Sequence, residues 1–212
     1  MAAPISIVIP NYNGARLLGR HLPGVLDALS AYLPGGELIV VDDGSTDASV
    51  SWLREHAREA TLVVHEKNQG FQAACTTGIE AARHELLLLL NTDVEVTPGF
   101  IDPLIRSLAP DDVFAAGCLA LDETGNAVTE NLKIPYLRSG SIKFAKLKGS
   151  TLESCRAVVP CALPTLFATG GFMAMKRSLF FALGGFDPLF EPFYYEDADL
   201  CFRAWKQGYR VL

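Results

Sequence analysis

The chain has 212 residues, half of them hydrophobic, with a formal net charge of −6 and an isoelectric point near 5.2. That length suits one hydrophobic core, and the acidic balance argues against a nucleic-acid partner, which needs a concentrated basic face. No apolar run approaches the roughly 20 residues of a membrane-spanning helix, and the longest, Leu86–Leu90, is strand-sized.

Through the first half, short apolar runs alternate with amphipathic stretches, the pattern of a mostly parallel sheet flanked by helices. Strands are predicted at Ile5–Ile9, Glu37–Val41, Thr61–His65 and Leu86–Leu90. Their nearly continuous apolar character suits strands covered on both faces. Helices are predicted over Ala15–Leu33 with an interruption at Pro23, over Ala48–Glu59 and over Phe71–Ala82. Thr97-Pro98 reads as an N-cap followed by proline at the first helical position, opening a helix to about Leu108.

The second half reads differently. The Gly-Asn pair in "LDETGNAV" predicts a hairpin turn between Phe114–Leu121 and Ala127–Glu130. Residues 131–165 show no firm period, and such a segment inside a domain is usually functional or mobile. Within it Lys133, Arg138, Lys143, Lys146 and Lys148 alternate with apolar residues. This segment is either a solvated loop or a basic surface for an anionic membrane or acceptor. A strand at Gly171–Met175 and a helix at Arg177–Leu183 follow, and from Asp197 the residues Leu200, Cys201, Ala204 and Trp205 repeat at helical spacing until Gly208.

"MAAPISIVIP" has no basic region ahead of its apolar residues, so it does not read as a signal peptide and a cytosolic location is expected. Cys75, Cys118, Cys155, Cys161 and Cys201 show no C-x-x-C spacing, which fits reduced, packed thiols.

In open α/β sheets ligands bind beyond the carboxyl ends of the strands, and four strand ends carry polar residues: "IVIPNYNG", "IVVDDGSTD", "VVHEKNQGF" and "LLLNTDVEV". Asp47 is placed to cap the following helix. The adjacent Asp42 and Asp43 exceed what capping needs, so one is expected to accept a hydrogen bond from a ligand. Asp93, just past five leucines, is either a turn residue or a ligand for a hard divalent cation. No phosphate-binding glycine motif follows the first strand, which speaks against an NTPase or a dinucleotide-dependent dehydrogenase. The stretch "FYYEDADLCFRAW" crowds Glu196, Asp197 and Asp199 beside apolar surface. Asp197 there reads as a helix-starting acid, a catalytic group, or both. His21, His56, His65 and His84 form no ligand spacing, so structural or surface roles are expected, with His65 a strand-end hydrogen-bonding residue and Trp205 a core residue.

Taken in order, "SIVIPNYNG", "VVDDGSTD", "KNQGFQAACTTGI", "LLLLNTDVEV", "TGGFMAMKRSLFFALGGFD" and "EDADLCFRAWKQGYRV" resemble the inverting family 2 glycosyltransferases of the GT-A fold, over nearly the whole chain. The wording of "LNTDVEV" and "GGFDPLFEPFYYEDADLCFR" is similar to rhamnosyltransferase-like members that build bacterial cell-surface polysaccharide. The resemblance implies a single domain over 1–212, with nucleotide-binding residues 1–95 and acceptor-binding residues 96–212. It places Pro10, Tyr12, Asp42 and Asp43 at the nucleotide base, Asp43 contacting it, and Asn68 and Gly70 on a loop closing over the nucleotide. Asn91-Thr92-Asp93 then occupies the D-x-D position, Thr92 beside the nucleotide and Asp93 binding Mg²⁺ or Mn²⁺ with the diphosphate. Asn91 stands where that pattern has its first acid.

By the same resemblance Asp197 is the general base, with Glu196 the alternate, because a sugar hydroxyl attacks only as its proton is removed. Gly170, Gly171, Asn91 and Tyr195 would line the donor-sugar and acceptor pocket, with Phe193 and Tyr194 among the nearby aromatics. The implied donor is a UDP-, dTDP- or GDP-linked sugar, and the implied acceptor a saccharide or lipid-linked hydroxyl, with peripheral attachment at the inner membrane face left open. Absence of a Q-x-x-R-W motif points to transfer of one sugar. Two rivals stand beside this reading. Because "GYRVL" stops where a strand begins, the chain reads as shortened at its C-terminal end and as a non-catalytic nucleotide-sugar-binding domain. A sugar-1-phosphate nucleotidyltransferase would want a Gly-rich basic loop where "PNYNGAR" stands.

Overall fold

A computed structural model describes residues 3–125, 128, 134–139, 141–145, 162, 164–192 and 194–212. Lys133, Lys146, Lys148, Cys155, Cys161 and Phe193 lie outside the described residues. So does most of the second arm of the hairpin expected at Ala127–Glu130.

A seven-stranded sheet forms the middle layer. Its strands are β1 (Ile5–Asn11), β2 (Gly36–Asp42), β3 (Thr61–Val64), β4 (Leu86–Leu90), β5 (Val113–Gly117), β8 (Phe172–Lys176) and β9 (Arg210–Val211), in the spatial order β3-β2-β1-β4-β8-β5-β9. The first four run parallel, β8 is antiparallel to both β4 and β5, and β9 is parallel to β5. The expectation of a mostly parallel sheet is met, with the four early strands where their apolar runs put them.

The leucine run shows why those strands read as continuously apolar. Side chains alternate across a sheet, so Leu87 and Leu89 enter one core cluster and Leu88 and Leu90 the other. Val8, Ile39 and Val41 share the first cluster, while Ile7, Ile9, Leu38 and Val40 share the second. At about 1.5–3 kcal/mol for each large side chain buried, both faces contribute to stability, and the polar residues buried on these strands, such as Ser6 and Glu37, are hydrogen-bonded. Helices cover each face. α1 (Ala15–Ala31), α2 (Ser49–His56) and α4 (Ile101–Ser107) cover one side; α3 (Phe71–Ala81), α5 (Arg177–Ala182) and α6 (Glu196–Lys206) cover the other. α3 comes close enough that a Cβ on Gly78 would lie 2.3 Å from Val8 Cγ1, so only glycine fits there.

Several expectations need correction. Pro23 does not interrupt α1: it and Gly19, whose carbonyl it leaves without its helical donor, both lie on the exposed side of the helix, where the lost bond costs least. Leu18, Leu22 and Val25 keep one buried stripe across the proline. The helix expected from Thr97-Pro98 begins only at Ile101, because Gly99 adopts a φ of +74° that no helix can include. The turn near residue 125 is closed by Asp122, whose carbonyl and carboxylate accept the Gly125 and Thr124 N–H groups, and Val128 N–H donates to Ala120 O. Within 131–165, read as irregular, β6 (Ile134–Arg138) and β7 (Ser141–Ala145) form an antiparallel hairpin separate from the main sheet. Trp205 is not a core residue. It lies one position, about 100° of rotation, past buried Ala204, is 54% exposed and stacks on Phe202.

Polar anchoring at the opposite end from the strand-end residues comes from Glu37, nearly buried, which accepts from Ser6 Oγ at 2.7 Å, Arg83 N at 2.7 Å and Arg83 Nε at 2.9 Å. These bonds tie the amino ends of β1 and β2 to the link between α3 and β4.

Candidate active site

Strand order reverses beside β1: the chain moves outward through β2 and β3, then returns to place β4 on the other flank. Such a switch point leaves a crevice beyond the carboxyl ends of the strands. The polar residues named from the sequence gather around it in two groups.

The first group is built on β1, β2 and β3. Parallel register sets Asn11 opposite Asp42 and Asp42 opposite Val64, so the residues one step further, Asp43 and His65, also become neighbours. Asp42 is fully buried; its Oδ2 accepts from Asn11 Nδ2 at 2.7 Å and its Oδ1 from Ser45 N at 2.9 Å. Asp43, 3% exposed, takes three bonds: His65 Nδ1 at 2.7 Å and Gln69 N at 2.9 Å on Oδ1, and Gly70 N at 2.8 Å on Oδ2. Asp43 thereby holds the Asn68–Gly70 loop against the acidic turn. Gly44 makes the contact closer still, since its φ is +73° and a Cβ there would sit 2.5 Å from the Lys67 carbonyl carbon.

A side-chain network fastens this turn to the start of α1. Asn13 Oδ1 accepts from Thr46 N and Asp47 N, while Asp47 accepts from Ala15 N at 3.0 Å and from Ser49 N at 2.9 Å. Asp47 therefore serves two helix starts, although the residue at the cap position of α2 is Ala48. Burial acts to raise its pKa, and the hydrogen bonds from Ser49 and Ala15 outweigh that and hold it below the usual carboxylate range. Tyr12 projects from the same edge and is largely exposed, Pro10 is half-buried and Asn68 is exposed.

The second group is built on β4, β8 and α6. Asn91 N donates to Gly171 O at 2.8 Å, and the Asn91 amide fills the space over Gly171. The neighbouring Gly170 N donates to Asp197 Oδ2 at 2.8 Å. One chain of contacts thus joins Asn91, Gly171, Gly170 and Asp197. Asp197 is not the cap of α6: the cap position belongs to Tyr195, and the half-buried Asp197 carboxylate turns to the glycine bend. Glu196 is 6% exposed, and its Oε2 has no hydrogen-bond partner among the described residues. Burial first, and then the adjacent Asp197 charge, raise its pKa. Tyr194 and Tyr195, both exposed, carry φ values of +81° and +74°, a strained entry into α6 of the kind that clusters at functional sites. Asp199 pairs with Arg203 at 2.7 Å and Arg203 reaches the Leu183 and Gly185 carbonyls, so this acid is structural.

Cys75 of α3 is fully buried, and burial first, then the charges of Glu196 and Asp43, raise its pKa. Thr92 is half-buried beside a narrow pocket lined by His21, Leu18 and Val94. Asp93 is exposed and its carboxylate accepts no hydrogen bond within the described residues. Among those residues no cluster of three or more His, Cys, Asp or Glu could cage a metal. Sequence reasoning did not single out Asn11 or the bond from His65 to Asp43; the parallel register of β1, β2 and β3 was the signal that would have found both.

Residues 6–183 match the family described as "Glycosyl transferase family 2". Chondroitin synthase of Escherichia coli is 25% identical over 96% of this chain and 32% of its own length. The chain spans about a third of the length of curated relatives that it matches. Among solved structures, mannosyltransferase PcManGT from Pyrobaculum calidifontis, in complex with GDP-Man and Mn²⁺, superposes with a TM-score of 0.71 at 22% identity, over 98% of this chain and 53% of that one. GalNAc-T7 with UDP, GalNAc and Mn²⁺ superposes with a TM-score of 0.75 at 20% identity, over 99% and 42%.

Proposed function

Because the match over residues 6–183 covers most of its length, the chain belongs to glycosyltransferase family 2 and has the GT-A fold, and on that premise we propose that it moves one sugar from a nucleoside-diphosphate sugar to an acceptor hydroxyl with inversion. The observation that carries this reading is the contact chain from Asn91 through Gly171 and Gly170 to Asp197. It sets a fixed carboxylate beside the Asn91-Thr92-Asp93 turn at the switch point of the sheet.

In the proposed reaction Asp197 accepts the acceptor's hydroxyl proton as the oxygen attacks the anomeric carbon, and the bond from that carbon to the diphosphate breaks. Gly170 N–H holds one carboxylate oxygen and fixes the base in position. Residues 1–95 hold the donor, with Pro10, Tyr12, Asp42 and Asp43 at the base and Asn68 and Gly70 over the nucleotide. Residues 96–212 hold the acceptor, with Tyr195 as a platform for a sugar ring. The donor set suits a divalent ion completed by the donor's own phosphates, since Asp93 offers one free carboxylate and such ions are often bound by one or two carboxylates and substrate oxygens. Mg²⁺ or Mn²⁺ there would neutralise charge on the departing diphosphate. A hexosyl or deoxyhexosyl group fits the rhamnosyltransferase-like wording of the motifs. The likeness to chondroitin synthase supports a setting in cell-surface polysaccharide synthesis. No described helix is long and apolar enough to cross a membrane, and a peripheral membrane contact through the segment containing exposed Arg138 and Lys143 is part of the proposal.

Isothermal titration with UDP, dTDP and GDP, with and without Mn²⁺, tests the donor site. Selective binding that strengthens with metal, and loses that strengthening in Asp93→Ala, is expected; a folded chain that binds none of the three refutes the reading. Asp197→Asn should keep nucleotide affinity and lose roughly 10²–10⁴-fold in turnover, and near-normal turnover would remove Asp197 from the base role. Binding without turnover in the unaltered chain would instead identify a nucleotide-sugar-binding domain.

A further inference from the structure

Asp43 has more hydrogen bonds than a loop anchor requires, and one comes from a side chain with its own partner. His65 Nδ1 lies 2.7 Å from Asp43 Oδ1, and His65 Nε2 lies 3.0 Å from Thr77 Oγ1. A carboxylate only accepts, so Nδ1 carries the proton, and in the neutral ring Nε2 is left to accept from the Thr77 hydroxyl. Thr77 projects from α3, the helix that packs on β1 and β2. The ring is thus fixed at both nitrogens, and it fixes the carboxylate in turn.

The distribution of donors over the two oxygens has a chemical consequence. Among the described residues Oδ1 takes His65 Nδ1 and Gln69 N, which fills its two acceptor positions, while Oδ2 takes only Gly70 N and keeps one. We infer that His65 is a positioning residue for base recognition: by filling Oδ1 it leaves the carboxylate a single acceptor of fixed direction, suited to the ring N–H of uracil, thymine or guanine rather than to cytosine or adenine, whose ring nitrogen at that edge is itself an acceptor. This inference rests on the donor-site reading above and adds to it the side chain that enforces the choice among bases. Without His65 the two backbone N–H groups would still hold Asp43, but Oδ1 would regain an open position for water or an amino group, and discrimination would fall more than stability.

The test is isothermal titration of the wild-type chain, His65→Leu, His65→Asn and His65→Gln with UDP, dTDP, GDP, CDP and ADP, all with Mn²⁺, alongside thermal melts. Asparagine places its amide nitrogen near the position of Nδ1 and can donate to Asp43, whereas glutamine places its amide at the far end of the ring. Losing a hydrogen bond to a charged group predicts roughly tenfold weaker binding of the preferred nucleotide in His65→Leu, with CDP and ADP changed by less than about twofold. His65→Asn should recover selectivity to within about threefold of wild type, and His65→Gln should not. An equal loss for all five nucleotides, or wild-type selectivity in His65→Leu, overturns the inference. If His65→Leu does not fold, equal selectivity of the asparagine and glutamine variants overturns it. A wild-type chain that binds none of the five removes the donor site itself, whereas wild-type selectivity for UDP, dTDP or GDP combined with unchanged selectivity in all three variants removes only the role of His65.

Discussion

Gly44→Ala isolates the contact that holds the acidic turn against the Asn68–Gly70 loop. The backbone at this position has a φ of +73°, and the added Cβ would meet the Lys67 carbonyl carbon at 2.5 Å and Asn68 N at 2.6 Å. A non-glycine residue in left-handed conformation costs about 1–2 kcal/mol. Overlap with main chain cannot be relieved by turning a flexible side chain, and overpacking of this kind adds roughly 1–3 kcal/mol. The combined cost is about 2–5 kcal/mol. For a domain of this size each kcal/mol lowers Tm by roughly 2–4 °C, so a drop of about 4–20 °C is expected. Much of the strain should be released by moving the loop away, which parts Gln69 N and Gly70 N from Asp43. The assay is therefore paired: a melt followed by circular dichroism, and titration with the preferred nucleoside diphosphate at a temperature where both proteins are folded. The variant should bind more weakly as well as melt earlier. A Tm within about 2 °C of wild type, together with unchanged affinity, would refute the close apposition of the two segments.

Leu88→Ala should cost about 2–5 kcal/mol, because the side chain is fully buried and its neighbours cannot fully collapse into the space; chemical denaturation measures it. Glu37 concerns pH: burial acts to raise its pKa, but the Arg83 N–H, the Ser6 hydroxyl and the Arg83 and His84 charges outweigh burial and leave it lowered. A lowered carboxylate contributes stability that is present above its unfolded value and lost as pH falls through the folded one. Glu37→Gln should accordingly remove roughly 1–3 kcal/mol at neutral pH and flatten the acid limb of the stability curve below the ordinary glutamate range; an unchanged acid limb would contradict the assignment. Glu196 has the opposite sign. Burial and the Asp197 charge raise it, so the folded state binds its proton more tightly and loses stability as pH rises from the unfolded value through the folded one. Glu196→Gln should melt higher than wild type at pH 8 and show a smaller decline between mildly acidic and alkaline pH, read by melts across that range.

Legibility followed the physics of each segment. Strands buried on both faces are apolar except where a polar side chain finds a buried partner, so the unbroken run Leu86–Leu90 could be bounded from the sequence to the residue. The hairpin of β6 and β7 gave no such signal. Among the described residues its two five-residue strands pair with each other, apart from the main sheet, and Arg138 and Lys143 interrupt their apolar residues. The turn between them begins at Ser139 with a φ of +53°, a conformation that serine does not advertise.

The site shows the same division between what a local pattern encodes and what only register creates. Asp42-Asp43 and Glu196-Asp197 stood out because acids beside apolar strands and helices are costly unless something holds them. The holders were invisible for the same reason that they work: Gly170 holds Asp197 through a backbone N–H, and Gln69 and Gly70 hold Asp43 in the same way. Backbone donors leave no mark on residue identity. His65 differs, because a specific side chain does the holding across 22 residues of sequence, and its relation to Asp43 follows only once Asp42 is known to lie opposite Val64. A substitution there should therefore act where sequence patterns are silent, on the direction of one carboxylate rather than on the presence of the fold.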